Sequence, residues 1–230
     1  MKLSEAVRGV SGTLAADGEF SCIAFATEQE QSQFLTFLEK EKFLPALDNS
    51  KISCVLTTSA LAEKIPPHIK GVFLCDRPKA ALFEIHNRLA RHPDYVGASA
   101  ATVVGEGCSI SPLAAIDCEN VVIGDRVTIE PFVVIKGRVI IGNDVTIRSG
   151  AVIGCKGFSF SKDAQGQNVS VEDTARIIIE DHVEIFEQVA ISTGIFPWEE
   201  TRIGENTKVD AQCHIGHGAH IGRNCLLAEG

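Results

Sequence analysis

The chain has 230 residues, 45% of them apolar and 22% charged, a composition that can bury a core and excludes a disordered or fibrous protein. Acidic side chains number 30 and basic ones 21, so the formal charge is −9, which repels phosphate backbones and anionic lipid and argues against nucleic acid or a membrane surface as the main partner. No apolar run approaches the roughly 18–20 residues that cross a bilayer, Met1-Lys2-Leu3-Ser4-Glu5 opens a polar stretch, and the 8 cysteines lack any Cys-x-x-Cys; the expectation is a cytoplasmic protein with reduced thiols and no stable membrane insertion.

Residues 1–100 show no repeat and hold most of the phenylalanines. Residues 53–58 and 72–75 read as buried strands, while 34–47 suits either strand or helix. Residues 79–90 place Leu82, Ile85 and Leu89 at helical spacing, with Asp76 a candidate cap and Pro78 suited to the first turn. These features predict a small α/β domain over residues 1–100, ending within 91–102 where His92-Pro93 and Gly97-Ala98-Ser99-Ala100 break the pattern.

Beyond it a period of six takes over. Ile123, Ile129, Ile135, Ile141, Ile147 and Ile153 mark it, with Val127, Val133, Val139, Val145 and Ala151 four positions on and Gly-polar pairs such as Gly124-Asp125 and Gly142-Asn143 between. The lattice resumes as Ile179, Ile185, Ile191, Pro197, Ile203, Val209, Ile215, Ile221 and Leu227, broken only at Pro197; upstream, Val104, Ile110 and Ile116 step by six and then slip by one position. This is neither the 3.6 of a helix nor plain strand alternation; it suits a short strand plus a turn, three of which close one coil of a parallel β-helix stacked at about the 4.8 Å strand spacing. The inward aliphatics stack on their equivalents, the small residue fits the corner, and glycine is expected to supply backbone angles that other residues avoid. The predicted second domain is residues 101–230, with an excursion at 154–178, where the lattice jumps by a distance not divisible by six; loops of that length usually bind something.

Within the lattice His214, His217 and His220 lie three apart. On an α-helix that spacing would gather a metal, but on a hexapeptide coil a step of three moves half a face onward, so a metal would need ligands from a neighbouring subunit. His217 follows an inward Ile-Gly pair at a turn, where it points outward and suits a general base. Cys213 and Cys225 occupy small corner positions, for which packing is the better account than nucleophilic chemistry, and no phosphate loop, nucleophile elbow or paired zinc spacing is present.

Met1-Lys2-Leu3-Ser4-Glu5, Leu35-Thr36-Phe37 with Lys42-Phe43, Ile153-Gly154 through Gly157-Phe158-Ser159-Phe160, and Asp210-Ala211-Gln212-Cys213-His214-Ile215-Gly216-His217 together resemble the UDP-3-O-acylglucosamine N-acyltransferase family of lipid A and lipopolysaccharide synthesis. The resemblance implies a left-handed β-helix assembled as a homotrimer, with active sites between adjacent subunits. It implies that the amine of a UDP-linked amino sugar attacks an acyl thioester, carried by acyl carrier protein or coenzyme A as co-substrate, with no metal or further cofactor. It assigns His217 as the catalytic base and Phe37 and Phe43 as the uracil contacts, with Lys40 between them. Gly157, Phe158 and Phe160 match the family's Gly-Phe-Gly-Phe loop, and Asp210, Gln212 and His214 match substrate-binding positions beside the catalytic histidine.

Lys40 stands where the family has a uracil-contacting asparagine, and Ala211 and His214 replace Asn and Gln. The sequence stops at Gly230 inside the repeat, before the later coils and helices that engage carrier protein and acyl chain in the family: either it is a piece of a longer chain, or it is a shorter relative with a smaller donor, a short-chain N-acetyltransferase using acetyl-CoA for O-antigen or capsule sugars. Two readings of other classes share the fold: a zinc enzyme of the γ-carbonic anhydrase type and a scaffold that binds nucleotide without turnover.

Overall fold

A computed structural model describes residues 1–163 and 165–229; Ala164, within the expected excursion at 154–178, and Gly230, within the expected second domain, lie outside the described residues. The chain divides into two compact units, Met1–Tyr95 with Ser159–Glu172, and Val96–Phe158 with Asp173–Gly230. Residues 159–172 of the excursion therefore cluster with the first unit rather than with the coils.

The first unit is built on a five-stranded sheet in the order β1-β5-β4-β3-β2, with β1 at Thr13–Ala16, β2 at Cys22–Ile23, β3 at Phe34–Leu38, β4 at Ile52–Thr57 and β5 at Gly71–Leu74. Strands β2 to β5 run parallel and β1 closes one edge antiparallel. The central strand β4 buries Ile52, Cys54, Val55, Leu56 and Thr57, the near-continuous apolar run of a parallel strand covered on both faces. The ambiguous 34–47 segment resolves into strand β3 and a 3-10 helix at Glu41–Asp48: the charged run Glu39-Lys40-Glu41-Lys42 ends the buried strand, and Pro45 lacks the amide that a longer α-helix would use.

The helix at Pro78–Leu89 (α2, after the short α1 at Leu3–Ala6) begins on Pro78 as expected and buries Leu82, Ile85 and Leu89. Asp76 does not cap it. The N-cap is Arg77, with no side-chain cap bond, and Glu39 Oε1 accepts the Lys79 N–H at 2.9 Å, so a carboxylate from the end of β3 serves the amide-rich helix start instead. The excursion's hairpin pairs Phe160–Lys162 with Asn168–Ser170 and is fastened to α2. The Arg77 guanidinium donates to the Lys162 carbonyl at 2.6 Å and to that of Asp163, and Asn87 donates to Ser170 O and accepts from Glu172 N–H.

The second unit is a three-sided parallel β-helix whose three sheets start from the strands Ser109–Ile110, Ala115–Ile116 and Val103–Val104. Thr128 pairs with Thr146, Val134 with Val152 and Val121 with Val139, each step spanning three hexads, so three hexads close one coil. Every isoleucine of the lattice from Ile123 to Ile153 is at most 1% exposed, and the small residues four on are fully buried, stacking into one core. The glycines after the inward isoleucines have a different cause from the one expected. Gly124 and Gly142 are not left-handed; a Cβ on Gly124 would lie 2.7 Å from the Gly142 carbonyl oxygen, so close approach of the next coil excludes a side chain. The left-handed residues come two positions later and are mostly not glycine: Arg126, Asp144, His182, Gln188, Asn206, Gln212 and Asn224 among them.

Candidate active site at one corner of the β-helix

The coil outgrows three hexads three times, always at the corner between the second and third sheets. Ile116 pairs with Ile135, one position beyond three hexads; Ile141 pairs with Ile179, across the excursion; and Ile179 pairs with Ile203, a full hexad beyond. The extra hexad explains Pro197: it sits in an inserted loop between the strands Ala190–Ser192 and Glu200–Ile203 and is not a lattice position. Phe196 is fully buried there and stacks on Trp198 at 5.9 Å, and Glu199 Oε2 accepts the N–H groups of Ile195 and Phe196. On the next coil the same corner carries the tight turn His217-Gly218.

His217 is exposed at the first position of that turn and Gly218 is left-handed at φ +68°. Gly157 lies against the imidazole: a Cβ there would be 3.5 Å from His217 Cδ2, 3.6 Å from Asp173 Oδ1 and 3.6 Å from the Thr193 carbonyl oxygen. The Gly157 N–H donates to Asp173 Oδ2 at 2.8 Å. An exposed imidazole, a carboxylate and a backbone carbonyl thus converge on one glycine, an arrangement in which the imidazole can take a proton from a group bound beside it.

His214 is exposed on the strand before the turn, its Nε2 2.9 Å from Ser192 Oγ, which in turn lies 3.3 Å from Cys155 Sγ. His220 Nε2 is 3.1 Å from the Glu200 carbonyl oxygen. The three histidines engage different neighbours, and among the described residues no group of three or more His, Cys, Asp or Glu side chains is placed to hold a metal. Asp210 and Gln212 are exposed one corner earlier, where Asp210 Oδ1 accepts the Ala211 N–H and the left-handed Gln212 donates its N–H to Glu187 O. Within this chain they do not share the His217 corner. Phe158, next to Gly157, is 94% exposed.

Phe37, Lys40, Phe43 and Phe160 belong to the first unit. Phe37 is half-buried and meets Phe25 edge-on at 6.4 Å, and Phe25 meets Phe83 in the same way, so this ring contributes to the core as well as to the surface. Lys40 is exposed at the N-cap of the 3-10 helix, with its carbonyl accepting the Phe43 N–H; Phe43 is 55% exposed, with the Lys42 ammonium 4.8 Å from its ring centre. Phe160 lines a cleft of about 390 Å³ with Glu39, Arg77, Lys79, Lys162 and Asn168. Asp173, Ser192 and Thr201 escaped the sequence reading. Thr201 had a signal, a hydroxyl at an inward position of the lattice, whereas nothing in the excursion singles out Asp173.

Residues 120–155 and 200–230 match a family profile described as bacterial transferase hexapeptide (six repeats). The chain is similar to the UDP-3-O-acylglucosamine N-acyltransferase of Bradyrhizobium, 29% identical over 239 aligned positions, which cover 88% of this chain and 64% of that protein. It is likewise similar to the protein of that name from Coxiella burnetii, 28% identical over 251 positions, covering 98% and 72%. Among solved structures it is similar to an Arabidopsis UDP-N-acetylglucosamine acyltransferase, with 24% identity and a TM-score of 0.40 over 54% of this chain and 48% of that one. The chain thus spans 64–72% of the length of these two relatives.

Proposed function

We propose that this chain, which matches the hexapeptide transferase profile over residues 120–155 and 200–230 and is similar over most of its length to proteins named UDP-3-O-acylglucosamine N-acyltransferase, is an N-acyltransferase of lipid A synthesis. In this reading the amine of a UDP-linked glucosamine-type sugar adds to the carbonyl of an acyl thioester. A C–N bond forms, the C–S bond breaks, His217 takes the proton the amine must lose and passes it to the departing sulfur, and the carrier leaves as a thiol. The donor is acyl carrier protein in preference to coenzyme A, and the site is shared between subunits of a cytoplasmic homotrimer. Phe37 and Phe43, with Lys40 beside them, stack on the uracil; Phe158, Phe160, Asp210, Gln212 and His214 contact substrate across the assembled sites.

The observation that carries the reading is the exposed His217 imidazole against the bare Gly157 backbone, at the corner where the coils are interrupted. A single positioned base accounts for about 10²–10⁴-fold of rate, and holding both substrates together supplies much of the rest. The test is thiol release from hydroxyacyl-carrier protein and from acetyl-CoA, with a UDP-amino sugar as acceptor, for wild type and His217→Ala. Turnover with the carrier protein that falls about 10²–10⁴-fold in His217→Ala is expected. Turnover with acetyl-CoA alone assigns the short-chain sugar N-acetyltransferases instead, and turnover that survives His217→Ala removes it as the base. Sedimentation equilibrium is expected to return three times the 24.7 kDa chain mass, and a monomer would overturn the shared site.

A further inference from the structure

At most corners of the β-helix the left-handed turn residue is held by the coil before it. The N–H groups of Arg126, Asp144, His182, Gln188, Asn206, Gln212 and Asn224 each donate to a turn carbonyl of the preceding coil, those of Glu106, Asp125, Asn143, Ser149, Asp181, Glu187 and Glu205. Among the described residues, the turn that carries His217 has no such carbonyl beneath it, because the preceding coil runs there through the inserted loop between Ser192 and Glu200. Its Gly218 N–H donates instead to Thr201 Oγ1 at 3.0 Å, and the Thr201 hydroxyl donates to the Ser192 carbonyl at 2.8 Å. Thr201 is fully buried and Ser192 is 2% exposed.

Thr201 departs from its own lattice position. It pairs in register with Ile177, which pairs with Val139, which pairs with Val121, all fully buried aliphatics. A hydroxyl placed in that column loses its hydration at a cost unless both its hydrogen-bonding roles are filled, and here they are filled by the two segments that flank the interrupted corner. Resting on the acyltransferase reading of His217, we infer that Thr201 is a positioning residue: its hydroxyl replaces the missing turn carbonyl and fixes the His217-Gly218 turn, so that the base meets the substrate amine in one orientation. The same bridge reaches the neighbouring histidine, since Ser192, whose carbonyl Thr201 holds, bonds His214 Nε2 through its own hydroxyl.

Thr207 supplies a matched comparison. It too is fully buried, donates to the Gly222 carbonyl at 2.8 Å and accepts the Cys225 N–H at 3.1 Å, but at a corner without His217. The experiment compares Thr201→Val, Thr201→Ser and Thr207→Val in the full chain, by thiol-release kinetics and by amide exchange at Gly218. Valine keeps the shape and stands in the same column at Val121 and Val139, so Thr201→Val retains the fold. It is expected to lower kcat about 10–100-fold with KM within about twofold of wild type, and to speed exchange at Gly218. Thr201→Ser restores both readouts, and Thr207→Val leaves kcat and Gly218 exchange as in wild type.

A Thr201→Val enzyme with wild-type kcat, a Thr207→Val enzyme equally impaired, or unchanged Gly218 exchange overturns the inference. If wild type releases no thiol from either donor, the acyltransferase reading fails by that result alone. Gly218 exchange still decides whether Thr201 holds the turn.

Discussion

Gly157 shows how a single residue sets the space around the proposed base. It is not left-handed, so alanine is conformationally acceptable there, and its Cβ would meet His217 Cδ2, Asp173 Oδ1 and the Thr193 carbonyl at 3.5–3.6 Å, ordinary contact distances. Gly157→Ala is therefore expected to keep the wild-type unfolding temperature while narrowing the approach to the imidazole, raising KM several-fold with a smaller change in kcat; an unaltered KM would mean that substrate does not pass Gly157. The cysteines divide by burial at the same scale. Burial pushes the thiols of Cys22, Cys54 and Cys75 up to about 11, so little thiolate forms near neutrality, whereas Cys118 is exposed. Peptide mapping after brief alkylation of native protein at pH 8 is expected to find Cys118 modified and those three protected.

Among the elements, α2 and the excursion's hairpin depend on a buried imidazole. His86 is fully buried, its Nδ1 3.0 Å from the Tyr95 hydroxyl and its Nε2 2.8 Å from the Glu172 carbonyl oxygen. Burial lowers its pKa below the ordinary 6.5, only partly opposed by the Glu172 carbonyl and carboxylate. The unfolded chain thus binds a proton that the folded one refuses. The contribution of His86 is fully present above about 6.5 and is lost as pH falls through the lower folded value. Thermal unfolding is expected to drop more steeply from pH 7 to 5 in wild type than in His86→Gln; parallel profiles would show that another group governs acid sensitivity. Residues 154–178 were legible as an interruption from the lattice jump, and Phe158 and Phe160 as its marked side chains. Their assignment to different units was not, because it depends on contacts such as Arg77 with Lys162, far apart in sequence.

Taken whole, the second unit is a stack in which each coil buries its neighbours' apolar face, so a defect in the middle is felt on both sides. Ile147 is fully buried between Ile129 and Ile185, and Ile147→Ala is expected to cost about 2–5 kcal/mol in denaturant unfolding. A cost well under about 1 kcal/mol would mean that the stack collapses around the lost side chain. The sequence by itself determined the coil, because a period of six in inward aliphatics admits one way to bury them. It also marked residues 53–58 and 72–75 of the first unit as buried strands, and His217 as an outward imidazole on an otherwise regular lattice. Only the tertiary structure decided that the irregularities fall at one corner, that Pro197 belongs to an inserted loop one hexad long, and that Asp210 and Gln212 lie within this chain at the corner before that of His217. Only there do Gly157, Asp173 and Thr201 meet the histidine's turn. Periodicity is a property of neighbours along the chain, while the site joins segments distant in sequence: Thr201 and Gly218 meet because one coil stacks on the next, and Gly157 meets His217, two coils on, from the excursion that leaves the lattice.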